Sequence, residues 1–171
     1  WMDKYEVTTS QYALCVDDGA CQSPFAPFSA TRQDYYGNPE YANYPVMWVN
    51  WSMARTYCEW AGRRLPTEAE WEKAASWDPE RQVKHAYPWG DEWRSDQSLN
   101  AESISGLSIT NREAWVSDFW LSGVALRCGC VEDVGLRQED RSAYGTRMMS
   151  GHVWEWCLDH YHEGAYSLRD A

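Results

Sequence analysis

Apolar and polar positions along this chain fall into three short helical runs separated by long polar stretches studded with aromatics. Thr8 followed by Gln11 forms a capping-box signal ahead of "TSQYALCVDD", and Gly19 is placed to end that helix. Asn50 or Ser52 can cap "SMARTYCEWA", which Gly62 stops. The third run is the cleanest. Thr67 and Glu70 make a second capping box just after Pro66, and Glu68 and Glu70 lie at the positive end of the helix dipole. Trp71 and Ala75, four residues apart, fall on one face of that helix and are predicted to meet a core. Residues 44–51, "YPVMWVNW", alternate enough to predict a short strand, and "GHVWEWCLD" at 151–159 predicts another.

Between these elements run two loops, 23–45 and 78–98, both rich in Pro, Gly, Asn and Asp and both long for simple connections. Such segments persist in a compact domain when aromatics or a metal tie them down. All seven prolines lie at or before Pro88, and the proline-free stretch 100–144 has an irregular pattern that predicts no element. At 171 residues the chain suits one domain with one core.

Composition sharpens this picture. Twelve Trp and eleven Tyr stand against three Phe, which suits a small core with little regular structure or a surface that meets a partner. A net charge of −11 argues against nucleic acid, since nothing resembles a basic stripe able to displace counterions from phosphates. No apolar run is long enough to span a membrane. No secretory signal is present, and the opening Trp1-Met2-Asp3 reads as a mature or trimmed form.

The six cysteines bear on the compartment. Cys15 and Cys21 share the short polar stretch "CVDDGAC", where a local disulfide closes readily. Cys58 and Cys157 lie in aromatic surroundings and equally suit buried thiols, while Cys128 and Cys130 in "RCGC" are not assigned. No C-x-x-C is present, so a zinc knuckle or thioredoxin-type site is not expected. An extracytoplasmic location (periplasmic or secreted) follows from the expected disulfide.

Other chemistry-bearing residues have plainer readings. His160 and His162 would share a strand face with Asp159 or Glu163 within reach, but an exposed polar tail accounts for them. Asp91 and Glu92 read as a solvated turn rather than a catalytic carboxylate pair. Asn50-Trp51-Ser52 fits a glycosylation pattern and, preferably, a helix entry. No Ser-His-Asp set or phosphate-binding glycine loop is visible.

Taken in order, "MDKYEVTTSQYALCV", "YPVMWVNWSMARTYCEWAGRRLPTEAEWEKAA", "YPWGDEW", "NAES" and "AYGTRMMSGHVWEW" resemble the formylglycine-generating enzyme, or sulfatase-modifying factor, family. The resemblance covers roughly residues 2–160, with 106–141 poorly matched. It implies an α+β variant of the C-type-lectin-like fold, low in regular structure, with helices on a small antiparallel sheet. It also implies one domain over 1–171 that lacks the family's C-terminal catalytic segment. In the oxidases of the family, copper is bound by two cysteines after the "VWEW" motif. Here Cys157 is out of that position, and Cys128 and Cys130 precede the motif.

The resemblance further implies structural calcium, held by Asn100 and the carbonyl of Ala101 at one place and by the carbonyl of Val153 and Glu155 at another. His152 stands where an Asn ligand is expected, and imidazole is a poor substitute for oxygen on calcium. Arg147 and Met148 also depart from the family pattern. The expected function is a non-catalytic binding or scaffold module for a protein or peptide partner. The alternative is a copper-dependent oxidase acting on a sulfatase cysteine, with its catalytic cysteines outside this chain.

Overall fold

The computed structural model describes residues 1–29, 32–94, 97–99, 132–135 and 140–163. Among them are three α helices and a two-stranded antiparallel sheet, an α+β arrangement.

The helices start where the capping signals predict. Helix α1 spans Thr9–Asp17, and the Thr8 hydroxyl accepts from Gln11 N while the Gln11 side chain accepts from Thr8 N. Helix α2 spans Trp51–Trp60, and Asn50 rather than Ser52 is its cap, accepting from Met53 N at 2.9 Å. Helix α3 spans Glu68–Ser76 behind the Thr67–Glu70 box. Arg64 grips Glu70 with two N–H donors at 2.7 Å each, and this pairing holds the Glu70 pKa down at about 2.

Two of the helix ends are built alike. After α1, Ala20 N donates to Cys15 O and Gly19 N to Val16 O. After α2, Arg63 N donates to Cys58 O and Gly62 N to Glu59 O. Both endings need a left-handed residue, and Gly19 and Gly62 supply it at φ 75° and 71°. Helix α3 ends differently. Asp78 precedes Pro79, which disfavours helical backbone at Asp78, and the chain leaves the helix extended at Trp77.

From there it forms strand β1, Trp77–Asp78, paired with β2, Val83–Lys84. This hairpin lies inside a stretch expected to be loop. The Asp78 carboxylate accepts from Glu80 N and Arg81 N and closes the turn, a local Asx signal that an Asp-Pro pair provides.

The two predicted strands do not form. In 44–51 only Pro45 pairs, as a single bridge to Thr8, because Trp48 turns into the left-handed region at φ 60° and Asn50 then starts α2. Residues 151–159 are irregular, since Gly151 and His152 both have positive φ. Other elements take up their polar groups instead. Leu158 N donates to Pro66 O, Trp51 Nε1 to Cys157 O, and the Asp159 carboxylate accepts from Glu68 N at the start of α3.

Two clusters form the core among the described residues. Tyr12, Cys15 and Cys21 are buried against Val7, Val46, Val49 and Tyr57, with Tyr12 stacked on Tyr57 at 5.5 Å to join α1 to α2. Cys15 and Cys21 are disulfide-bonded there, as their spacing suggests. Ala74 and Ala75 pack on Met149, with Met2 and Trp71 alongside, so the face carrying Trp71 and Ala75 is the buried one. The stretch 100–131, including Cys128 and Cys130, lies outside the described residues.

Removing the α3 cap tests this account. Thr67→Ala is expected to lower unfolding stability by about 1 kcal/mol, measured by urea denaturation, because Glu70 N loses its acceptor.

Candidate functional site

The candidate site is the junction of segment 150–157 with residues 97–99, Glu6 and α3. Close backbone approach makes the junction. His152 N donates to Leu99 O at 2.9 Å, and the Ser98 hydroxyl donates to Ser150 O. A Cβ at Gly151 would come within 2.5 Å of Leu99 O, and its φ is 124°, so only glycine fits. The two segments expected to carry calcium ligands are therefore neighbours up to Leu99. Asn100 and Ala101 themselves lie outside the described residues.

His152 turns its ring inward. Its side chain is fully buried, and Nδ1 lies 2.7 Å from Glu6 Oε1. Nε2 accepts from Glu132 N at 3.1 Å, which places the ring proton on Nδ1, donated to Glu6. Both nitrogens are thus committed within the protein. The second Glu6 oxygen is buried without a hydrogen-bond partner among the described residues.

Glu155 lies on the other side of the same turn. Its carboxylate accepts from Trp71 Nε1, so α3 fixes its position. Crowding by protein atoms desolvates the carboxyl and pushes its pKa up to about 7; Glu6 adds to the rise, and the Trp71 bond and His152 oppose it. Water still reaches the residue, which tempers the rise. The Val153 carbonyl and the Glu155 carboxylate are oxygen donors that suit calcium. His152, with both ring nitrogens engaged by Glu6 and Glu132, has no donor atom to add to them.

Among the described residues the free thiols are Cys58 and Cys157. Burial raises the pKa of both Cys58 and Cys157, and the two keep different company: Asp3 and Arg63 beside the first, Asp159 and Glu155 beside the second. Among the described residues, no three His, Cys, Asp or Glu side chains group to hold a metal.

The remaining sequence candidates find structural places. His160 stacks on the Trp51 ring at 5.9 Å rather than sharing a strand face with His162. Asp91 does more than solvate a turn, since it accepts from Ala86 N and meets His85 Nδ1 at 3.0 Å. Sequence reasoning missed Glu6 and Trp71 as partners of His152 and Glu155. No local signal joins residues that lie 146 and 84 positions apart.

Capped helices, a minimal sheet and a glycine-dependent junction around "HVWE" together define a loop-rich α+β domain. This chain belongs to the sulfatase-modifying factor enzyme 1-like domain family, whose model matches residues 1–169. It is 38% identical over 115 residues to a hercynine oxygenase of Mycobacterium tuberculosis, covering 67% of this chain and 22% of that protein. It is 33% identical to a formylglycine-generating enzyme of Streptomyces coelicolor, over 80% of this chain and 38% of that one. It is 30% identical to an inactive C-alpha-formylglycine-generating enzyme 2 of Bos taurus, over 91% and 44% of the two chains. The chain thus spans less than half the length of each of these relatives.

The raised Glu155 pKa has a sign that can be tested in a calcium-chelating buffer. A carboxyl that is harder to ionise when folded destabilises the native state once the unfolded chain ionises. Its contribution therefore becomes less favourable as pH rises from about 4.5 to about 7 and is constant above that. Glu155→Gln should flatten stability against pH across that window, followed by denaturation at half-unit steps.

Proposed function

We propose that this chain is a formylglycine-generating-enzyme-like domain of C-type-lectin-like architecture that acts as a non-catalytic binding or scaffold module for a protein or peptide. The observation that carries this reading is an exposed aromatic face. Phe25, Phe28, Trp48 and Trp156 expose 68%, 41%, 49% and 47% of their surfaces. They are held together rather than scattered. Phe28 and Trp48 meet edge to face at 5.7 Å, Phe25 N donates to Trp48 O, and Trp156 Nε1 donates to Val49 O. The Trp51 ring meets both His160 and the Arg55 guanidinium. Large amphipathic rings with locked backbones are what interface hot spots use.

The inactive relative from Bos taurus supports a non-catalytic role. The disulfide between Cys15 and Cys21 supports an extracytoplasmic setting. A structural calcium ion, braced by Asn100, the Ala101 carbonyl, the Val153 carbonyl and Glu155, completes the reading. The second reading is a copper-dependent oxidase acting on a sulfatase cysteine, with catalytic cysteines supplied from outside this chain. The relatives named formylglycine-generating enzyme and hercynine oxygenase favour it.

Incubating the chain with copper(I), O₂ and a cysteine-containing sulfatase peptide separates the two. Mass spectrometry should show the thiol unchanged. Conversion to an aldehyde that disappears in Cys157→Ser would overturn the non-catalytic reading.

The calcium reading has its own test. Calcium should raise the melting temperature slightly over a chelator control, and His152→Asn, which restores an oxygen ligand, should enlarge that shift. A variant indifferent to calcium would count against the ion.

A further inference from the structure

A second feature shares no residue with the aromatic face or with the 150–157 junction. Beside the β1–β2 hairpin lies a hollow of about 370 Å³, lined by Arg81 and His85 from the hairpin region, Pro88 and Trp89 from the turn that follows, and Arg141 from a distant segment. Asp78, Ser142 and Ala143 complete its wall.

The Trp89 wall is fixed in advance. Its ring stacks on Tyr87 at 5.5 Å with 7° between the planes, and its Nε1 donates to Glu92 O at 2.9 Å. Gly90 and Tyr87 exchange backbone hydrogen bonds across the same turn.

The polar groups of the hollow divide into committed and uncommitted ones. His85 lies between Asp91, at 3.0 Å, and Asp78, at 3.9 Å. Asp78 Oδ1 already accepts two backbone N–H groups, and its other oxygen faces Arg81 and His85, so its charge is offset. The Ser142 hydroxyl is paired with that of Thr146 at 2.7 Å. The guanidiniums are different. Arg81 approaches Asp78 only to 3.8 Å, beyond hydrogen-bond reach, and Arg141 has no side-chain partner among the described residues. Elsewhere in this acidic chain Arg55, Arg63, Arg64 and Lys84 each hold a carboxylate. One guanidinium paired only loosely with Asp78 and one with no side-chain partner among the described residues thus face the same hollow, in a chain whose acids outnumber its bases 26 to 15, and both can still take oxygen acceptors.

We propose that this hollow binds a small organic oxyanion, with a carboxylate or phosphate head on Arg81 and Arg141 and an apolar body against Trp89 and Pro88. The guanidinium fork matches either head in a bidentate manner, so the head group is decided by measurement. The fixed indole rewards a ring or short apolar chain, which separates such a ligand from a bare ion. Overall negative charge opposes entry of anions, and the open arginines offset this locally.

The experiment is calorimetric titration of the chain with benzoate, phenyl phosphate, inorganic phosphate and benzyl alcohol. Benzoate, phenyl phosphate or both should bind saturably with Kd at or below about 1 mM, and whichever binds names the head. Benzyl alcohol and inorganic phosphate should each bind at least about tenfold more weakly, lacking the head and the body respectively. Arg81→Gln and Arg141→Gln should each weaken binding about tenfold, while Arg63→Gln, outside the hollow, should leave it unchanged. Added salt should weaken wild-type binding, a readout that needs no variant to fold. No saturable binding of either aromatic anion, equal binding of inorganic phosphate or benzyl alcohol, or affinity indifferent to both arginines and to salt would each overturn the proposal.

Discussion

The structure depends on aromatic side chains that pack a large ring, in the core or at the surface, and still give one hydrogen bond to a lone backbone carbonyl. With few ladders available, each carbonyl in the long segments has to be satisfied individually. Trp and Tyr do this repeatedly. Trp51 donates to Cys157 O, Trp156 to Val49 O, Trp48 to Phe28 O and Trp89 to Glu92 O. Tyr12 donates to Gln22 O and Tyr35 to Pro45 O. Phe packs as well but donates nothing, and the chain carries three Phe against twelve Trp and eleven Tyr.

Helix ends are the other anchor points. The N-terminus of α3 takes up the Asp159 carboxylate as well as its own Thr67–Glu70 box, and Pro66, just before it, receives Leu158 N. The start of α2 holds Cys157 through Trp51. Segment 150–159 therefore needs no strand partners. It is laid across two helix N-termini, and Gly151 lets it pass against Leu99. That arrangement places Glu155 under Trp71 and His152 on Glu6, and so fixes the chemistry of the junction.

The aromatic face and the arginine hollow share a physical logic. In each, a ring is immobilised by its own N–H bond or by stacking, and a group capable of further interaction is left facing solvent. Trp48 sits at φ 60°, a conformation that costs a bulky residue energy and that its bond to Phe28 O helps hold. Trp89 is locked by Tyr87 and Glu92, beside guanidiniums without full partners. Rigid aromatic walls lower the ordering cost of any ligand that docks on them.

Local signals in the sequence determined the helices, their caps, the glycine stops, the Cys15–Cys21 bond and the family, because each rests on residues within a few positions or on an unbroken motif. Thr67 and Glu70 are three apart, and no tertiary contact is needed to pair them. Alternation at 44–51 and 151–159 misled because a strand requires a partner, and tertiary contacts supplied single bridges and side-chain donors instead. The hairpin at 77–84 was open to reading from Asp78-Pro79, yet its neighbours Arg141 and Ser142 were not. Which carboxylate His152 would meet, and which indole would hold Glu155, only the tertiary structure decided. Those pairs are joined by chain closure across most of the sequence, and no local preference encodes them.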